Sequence, residues 1–173
     1  MPTIMSHAVV GLALGSVTSF PRRRPAFWLA SALLPALPDL DVFGRALGIG
    51  FFSPWGHRGL SHSFAAAAAI GVVAAWLLRR RIGAPPAPLA VYFAAIVASH
   101  GVLDALTNGG PGVAFFAPFD TTRYFFPWRP IPVSPLASHF FSEWGWRVFR
   151  TELALIWLPA AAVIVLATVR RRR

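Results

Sequence analysis

With no cysteine in the chain, five histidines and six acids are the side chains that could ligate a metal ion. Two pairs share one interval. His100 and Asp104 stand four apart, as do His139 and Glu143, a spacing that on a helix puts both side chains on one face with Cβ atoms about 5–6 Å apart. His57 and His62 bracket His57-Arg58-Gly59-Leu60-Ser61-His62-Ser63, Asp39 and Asp41 alternate in Pro38-Asp39-Leu40-Asp41, and His7 lies near the start. Imidazole nitrogens and carboxylate oxygens suit zinc at about 2.0–2.2 Å, and a site with three protein ligands keeps a position for water. A water so activated is a nucleophile near neutral pH, and two ions can clamp both oxygens of a phosphoryl displacement. Asp39, Asp41 and Glu143 are candidates to accept its proton. Arg58, Arg123 and Arg129 are candidates to grip phosphate through the guanidinium fork.

The elements that must position these groups are apolar. Hydrophobic residues make up 56% of the 173 and charged ones 13%, against about a quarter charged in soluble domains. All sixteen basic residues are arginine, and they cluster. The clusters bound five apolar segments, 4–20, 27–38, 64–78, 86–106 and 153–169, of which the last three could cross about 22–32 Å and the first two are marginal. Arginines 22–24, 79–81 and 170–173 fall together on one side if the segments alternate in direction. The positive-inside rule then places them in the cytoplasm, with the N-terminus and both long loops outside. The reading is an all-α integral membrane bundle of about five segments forming one domain over 1–173. No basic residue precedes the first stretch and no cleavage pattern follows it, so that stretch is expected to stay in the mature protein. A compact soluble helical domain is the competing reading, since Pro35, Pro38 and Pro159 interrupt the pattern.

Topology assigned from arginines alone puts every histidine, with Asp39, Asp41, Asp104 and Glu143, at the outer end of the bundle. Taken singly, several have plainer roles: His7 as a hydrogen-bonded structural residue, Asp39 and Asp41 as turn caps, Ser61 and Ser63 as helix N-caps. The pair His100 and Asp104 inside an apolar segment resists that, because ionisable groups within a membrane are expensive and usually functional. The arginine triplets form no sustained basic face with interleaved aromatics, so nucleic acid is not an expected partner.

At His57-Arg58-Gly59-Leu60-Ser61-His62-Ser63, Pro38-Asp39-Leu40-Asp41 and Ser99-His100-Gly101-Val102-Leu103-Asp104 the chain resembles the YdjM-like family of predicted membrane-bound metal-dependent hydrolases. Met5-Ser6-His7, Pro118-Phe119-Asp120, Arg123-Tyr124 and Phe126-Pro127-Trp128-Arg129-Pro130-Ile131 fit it too. That family is similar, more distantly, to zinc-dependent phospholipases C and fungal single-strand nucleases. The resemblance implies a phospholipase C-like helical fold and a ligand set of His7, Asp39 or Asp41, His57 or His62, His100 with Asp104, and His139 with Glu143. No histidine falls between His100 and His139, so one or two zinc ions are implied rather than three. The expectation is a hydrolase of the bacterial inner membrane acting on a phosphoester, such as a lipid or lipid-linked phosphodiester. A transporter using the same cluster as an ion pathway, and a scaffold with structural histidines, are the alternatives. Substrate, metal identity and oligomeric state are not readable from the chain.

Overall fold

The computed structural model describes residues 1–21, 24–135 and 141–172. Among these the fold is all-helical, with no strand and two isolated bridges, Thr107 to Ile131 and Val113 to Tyr124. Its helices are α1 (Ile4–Val17), α2 (Pro25–Leu47), α3 (Phe64–Ile82), α4 (Pro86–Ala105) and α5 (Glu143–Arg172). Of these α2, α4 and α5 are long and apolar enough to cross a membrane. Helix α1 has 14 residues, and α3 has 19 but carries Arg79, Arg80 and Arg81 in its last turn.

Two boundaries differ from the hydropathy reading. Pro35 and Pro38 do not end the second segment but change its winding: α2 is α-helical over Pro25–Leu33 and a 3₁₀ helix over Leu34–Leu47. Asp39 and Asp41 therefore sit inside α2 rather than beyond it. Helix α5 starts at Glu143, ten residues before the apolar stretch, and passes through a π turn at Leu153–Trp157.

Helix directions follow from the contacts. His7 near the start of α1 stacks on His100 near the end of α4, while the Tyr92 hydroxyl, further back on α4, donates to the Gly11 carbonyl, so the two run antiparallel. Helices α3 and α4 join through a short turn after Ile82. Helix α5 runs with α1, since Glu152 meets Thr3 and Ser6 at one end and the Arg171 guanidinium donates to the Thr18 carbonyl at the other. Consequently Arg79 to Arg81 and Arg170 to Arg172 gather at one end, around a core of Phe27, Ile82, Leu89, Phe93 and Ile96. His7, His57, His62 and His100 occupy the opposite end with Asp39, Asp41 and Asp104.

In lipid, helices associate through close packing of small residues rather than through the hydrophobic effect. Helix α3 presents Ala67, Gly71, Ala74 and Ala75 as its buried face. A Cβ on Gly71 would lie 2.5 Å from the Ala94 nitrogen and 2.7 Å from the Ala90 carbonyl oxygen, backbone that cannot yield without separating the helices. Gly71→Val is accordingly expected to destabilise the protein by about 1–3 kcal/mol. Unfolding in detergent measures this, and a wild-type midpoint would show that α3 and α4 are not held at this distance.

Candidate metal centre

The centre is built where four elements converge. The 3₁₀ part of α2 supplies Asp39 and Asp41, the single 3₁₀ turn Leu60–His62 supplies His62, the end of α4 supplies His100 and Asp104, and α1 supplies His7. All but Asp41 are buried, and His7, His100 and Asp104 expose no surface at all.

Four ligand atoms face one another. His100 Nε2 lies 3.0 Å from His62 Nε2, 3.3 Å from Asp39 Oδ1 and 3.9 Å from Asp104 Oδ2. His62 Nε2 lies 3.7 Å from Asp39 Oδ1 and 3.6 Å from Asp104 Oδ2. Ligands about 2.0–2.1 Å from a tetrahedral zinc would stand about 3.3 Å apart. Asp39, His62, His100 and Asp104 thus form a buried group whose geometry could hold a metal ion.

The remaining hydrogen bonds fix what those atoms can be. His100 Nδ1 is 2.6 Å from the Pro35 carbonyl oxygen, which can only accept, so Nδ1 carries the proton and Nε2 presents its lone pair. His62 Nδ1 lies 3.2 Å from Asp41 Oδ2 and 2.9 Å from Ser61 Oγ, whose hydroxyl donates at 2.6 Å to the same Asp41 oxygen. That again places the proton on Nδ1 and turns the Nε2 lone pair inward. Neither oxygen of Asp39 or of Asp104 has a hydrogen-bond donor. Two lone pairs and two carboxylates, of which Asp104 has the Arg58 guanidinium beside it, meet in a buried space, an arrangement that costs several kcal/mol per group unless a further cation joins them.

Asp41 is of a different kind. It accepts from Ser61, from the Arg58 backbone at 3.2 Å and from His57 Nδ1 at 2.8 Å. With His57 and His62 it makes a second group of ligand type, but one already closed by internal hydrogen bonds. His7 stacks on His100 at 3.8 Å between centroids, with neither ring nitrogen hydrogen-bonded and Nε2 3.7 Å from Asp104 Oδ1.

The arginines read as phosphate grips face elsewhere. Arg58 is buried and adopts φ +62°, with Nε 2.8 Å from Asp104 Oδ2 though off the line of a hydrogen bond. Its terminal nitrogens donate to the Gly109 and Pro111 carbonyls and to Thr107 Oγ1. Arg123 donates to the carbonyls of Ser53, His57 and Gly112, and Arg129 lies over the Phe125 ring. Ser63 caps α3 as expected, accepting from the Ala66 nitrogen. Ser61 does not cap, because its hydroxyl is drawn to Asp41 and His62. Glu143 is exposed at the start of α5 and belongs to neither ligand group, and His139 lies outside the described residues.

One buried acid escaped the sequence reading. Glu152 of α5 accepts from the Thr3 nitrogen at 2.7 Å, from Thr3 Oγ1 at 2.5 Å and from Ser6 Oγ at 2.6 Å. Trp157, at the far end of the π turn, donates to Ser6 Oγ at 2.7 Å. The turn brings both side chains to the residue before His7, and an acid alone in an apolar stretch was the signal that could have found it.

The aromatic-rich connection after α4 leaves Phe116, Phe119, Phe126 and Trp128 exposed at the centre's end of the bundle, as in the belts that mark membrane-water boundaries. No solved structure matches the chain. It is 32% identical over 173 residues to inner membrane protein YbcI of Escherichia coli (strain K12), covering 99% of this chain and all of that one. The model of the family described as YdjM inner membrane protein matches residues 1–173, and the chain belongs to that family.

Proposed function

We propose that the protein is a membrane-bound metal-dependent hydrolase of phosphoesters, with a zinc ion held by Asp39, His62, His100 and Asp104. The observation that carries the reading is the meeting of four donorless ligand atoms, two of them imidazole lone pairs fixed by Pro35 and by Asp41 with Ser61. Such outer partners orient ligands and raise their basicity. Bound there, zinc supplies a Lewis acid and an activated water.

The chain's own residues divide the remaining work. Asp41 fixes the His62 tautomer, Arg58 holds Asp104, and His7 backs the His100 ring while offering, with Asp104 Oδ1, a place for a second ion. Asp39 is the ligand that borders the neighbouring cavity, so water and substrate would reach a bound ion from that side. Arginine clusters at the far end orient the bundle with its centre outside and its C-terminus in the cytoplasm. Confinement of the polar groups to one end, against the apolar core at the other, favours an enzyme over an ion pathway.

The test is hydrolysis of bis(4-nitrophenyl) phosphate by protein in nanodiscs. Activity is expected with zinc, to vanish with chelator, to return on zinc addition, and to be absent from Asp39→Ala. Protein that retains its metal yet cleaves neither this ester nor a 4-nitrophenyl monoester would show a structural ion and end the catalytic reading.

A further inference from the structure

We infer that the cavity beside Asp39 receives the apolar chain of a membrane amphiphile, entering sideways from the bilayer along α2. The inference rests on the proposed phosphoester activity only for the identity of the head group.

The cavity measures about 440 Å³, within the range of small-ligand sites. Ile4, Leu40, Val42, Phe43, Phe51 and Val133 line most of it, and its polar residues include Asp39, His57 and Arg58. A wholly polar ester would leave that wall without a partner. A molecule with a chain and a head satisfies both parts at once, its head beside the Asp39 carboxylate that the metal centre shares.

The route is set by α2. Leu37, Leu40 and Phe43 are exposed at three-residue intervals, which on the 3₁₀ part of α2 makes one stripe, on a helix long enough to cross the membrane. Along a membrane-crossing helix the exposed side of that stripe meets lipid. Leu40 and Phe43 belong both to the stripe and to the cavity wall, which makes the bilayer and the cavity one continuous apolar surface. A chain can pass between them without crossing water.

Two consequences separate this from a site for soluble esters. For short-chain amphiphiles offered from water to detergent-free protein, affinity should rise with chain length by about fourfold per methylene until the cavity is full. A bulky residue at the cavity wall should also exclude the chain while leaving the metal in place.

The experiment is photocrosslinking in nanodiscs with a lipid phosphate carrying a diazirine on its chain, for wild type, Val42→Trp and Ala36→Phe, with metal content measured alongside. Val42 is exposed and Ala36 partly so, so both variants should fold and keep the wild-type metal content. Wild type is expected to crosslink at Leu40, Val42, Phe43 or Phe51, and either variant to lose about tenfold of that yield. Crosslinks spread evenly over the lipid-facing sides of α4 and α5, or unchanged yield in both variants, would overturn the inference. Assaying hydrolysis of the same lipid phosphate by the zinc-loaded protein keeps the two readings apart: label in the cavity without any hydrolysis sinks the enzyme and leaves the chain site standing.

Discussion

Metal analysis of the purified protein should find about one equivalent of zinc per chain, the capacity of one four-residue ligand group, and the His100→Ala, Asp104→Ala double variant should have almost none. The reason is geometric. Four ligand atoms lie within 4.8 Å of one another, and among the described residues none hydrogen-bonds to either carboxylate. Removing two leaves a pair that cannot hold an ion against buffer. Asp41→Asn makes the graded case: its side chain keeps the shape but offers one acceptor and an amide, so the His62 tautomer is no longer enforced. Affinity should fall about 10–100-fold, with full occupancy recovered at high zinc. Stripping the wild type should also lower its unfolding midpoint, because binding at a thousand times Kd adds about 4 kcal/mol to the folded state. Equally little metal in wild type and double variant would remove the centre altogether.

Arg58→Ala is expected to cost about 3–5 kcal/mol in metal-stripped protein, as breaking a buried ion pair from one side does. The guanidinium is the cation drawn in among Asp104, Thr107, Gly109 and Pro111. Its loss strands a carboxylate with the carbonyls of the loop that follows α4. Arg58→Lys keeps the charge but cannot fork, and should fall between. Arg58→Gly separates side chain from backbone. At φ +62° a Cβ is disfavoured by about 1–2 kcal/mol, so glycine should be less damaging than alanine by about that much. Unfolding of the four proteins in detergent gives the order, and an alanine variant within about 1 kcal/mol of wild type would show the pair to be idle.

Much of this was legible before any coordinates. Arginine clusters alone divide the helices, and the four-residue interval from His100 to Asp104 is a property of any α-helix. What could not be read is which member of each close pair turns inward. Asp39 and Asp41 are two apart on a 3₁₀ helix of three residues per turn, so they point about a third of a turn from each other. One faces His100 and the other His57 and Ser61. That winding depends on how Pro35 and Pro38 are tolerated, which hydropathy does not reveal. Arg58 was equally opaque, since an arginine beside an apolar segment looks like an interfacial anchor until its backbone angle and burial are known. Glu143 lies exposed at the start of α5 and in neither ligand group; spacing alone does not bring a residue to a site.

Pro38 reaches further than its effect on winding. In a 3₁₀ helix the carbonyl of residue 35 would accept from the nitrogen of residue 38, and an imino acid has no proton to give. The oxygen of Pro35 is thereby left for His100. A missing hydrogen in one helix thus chooses which nitrogen of a ring in another turns toward His62 and Asp39, and an alanine at 38 would set the two donors in competition for one acceptor.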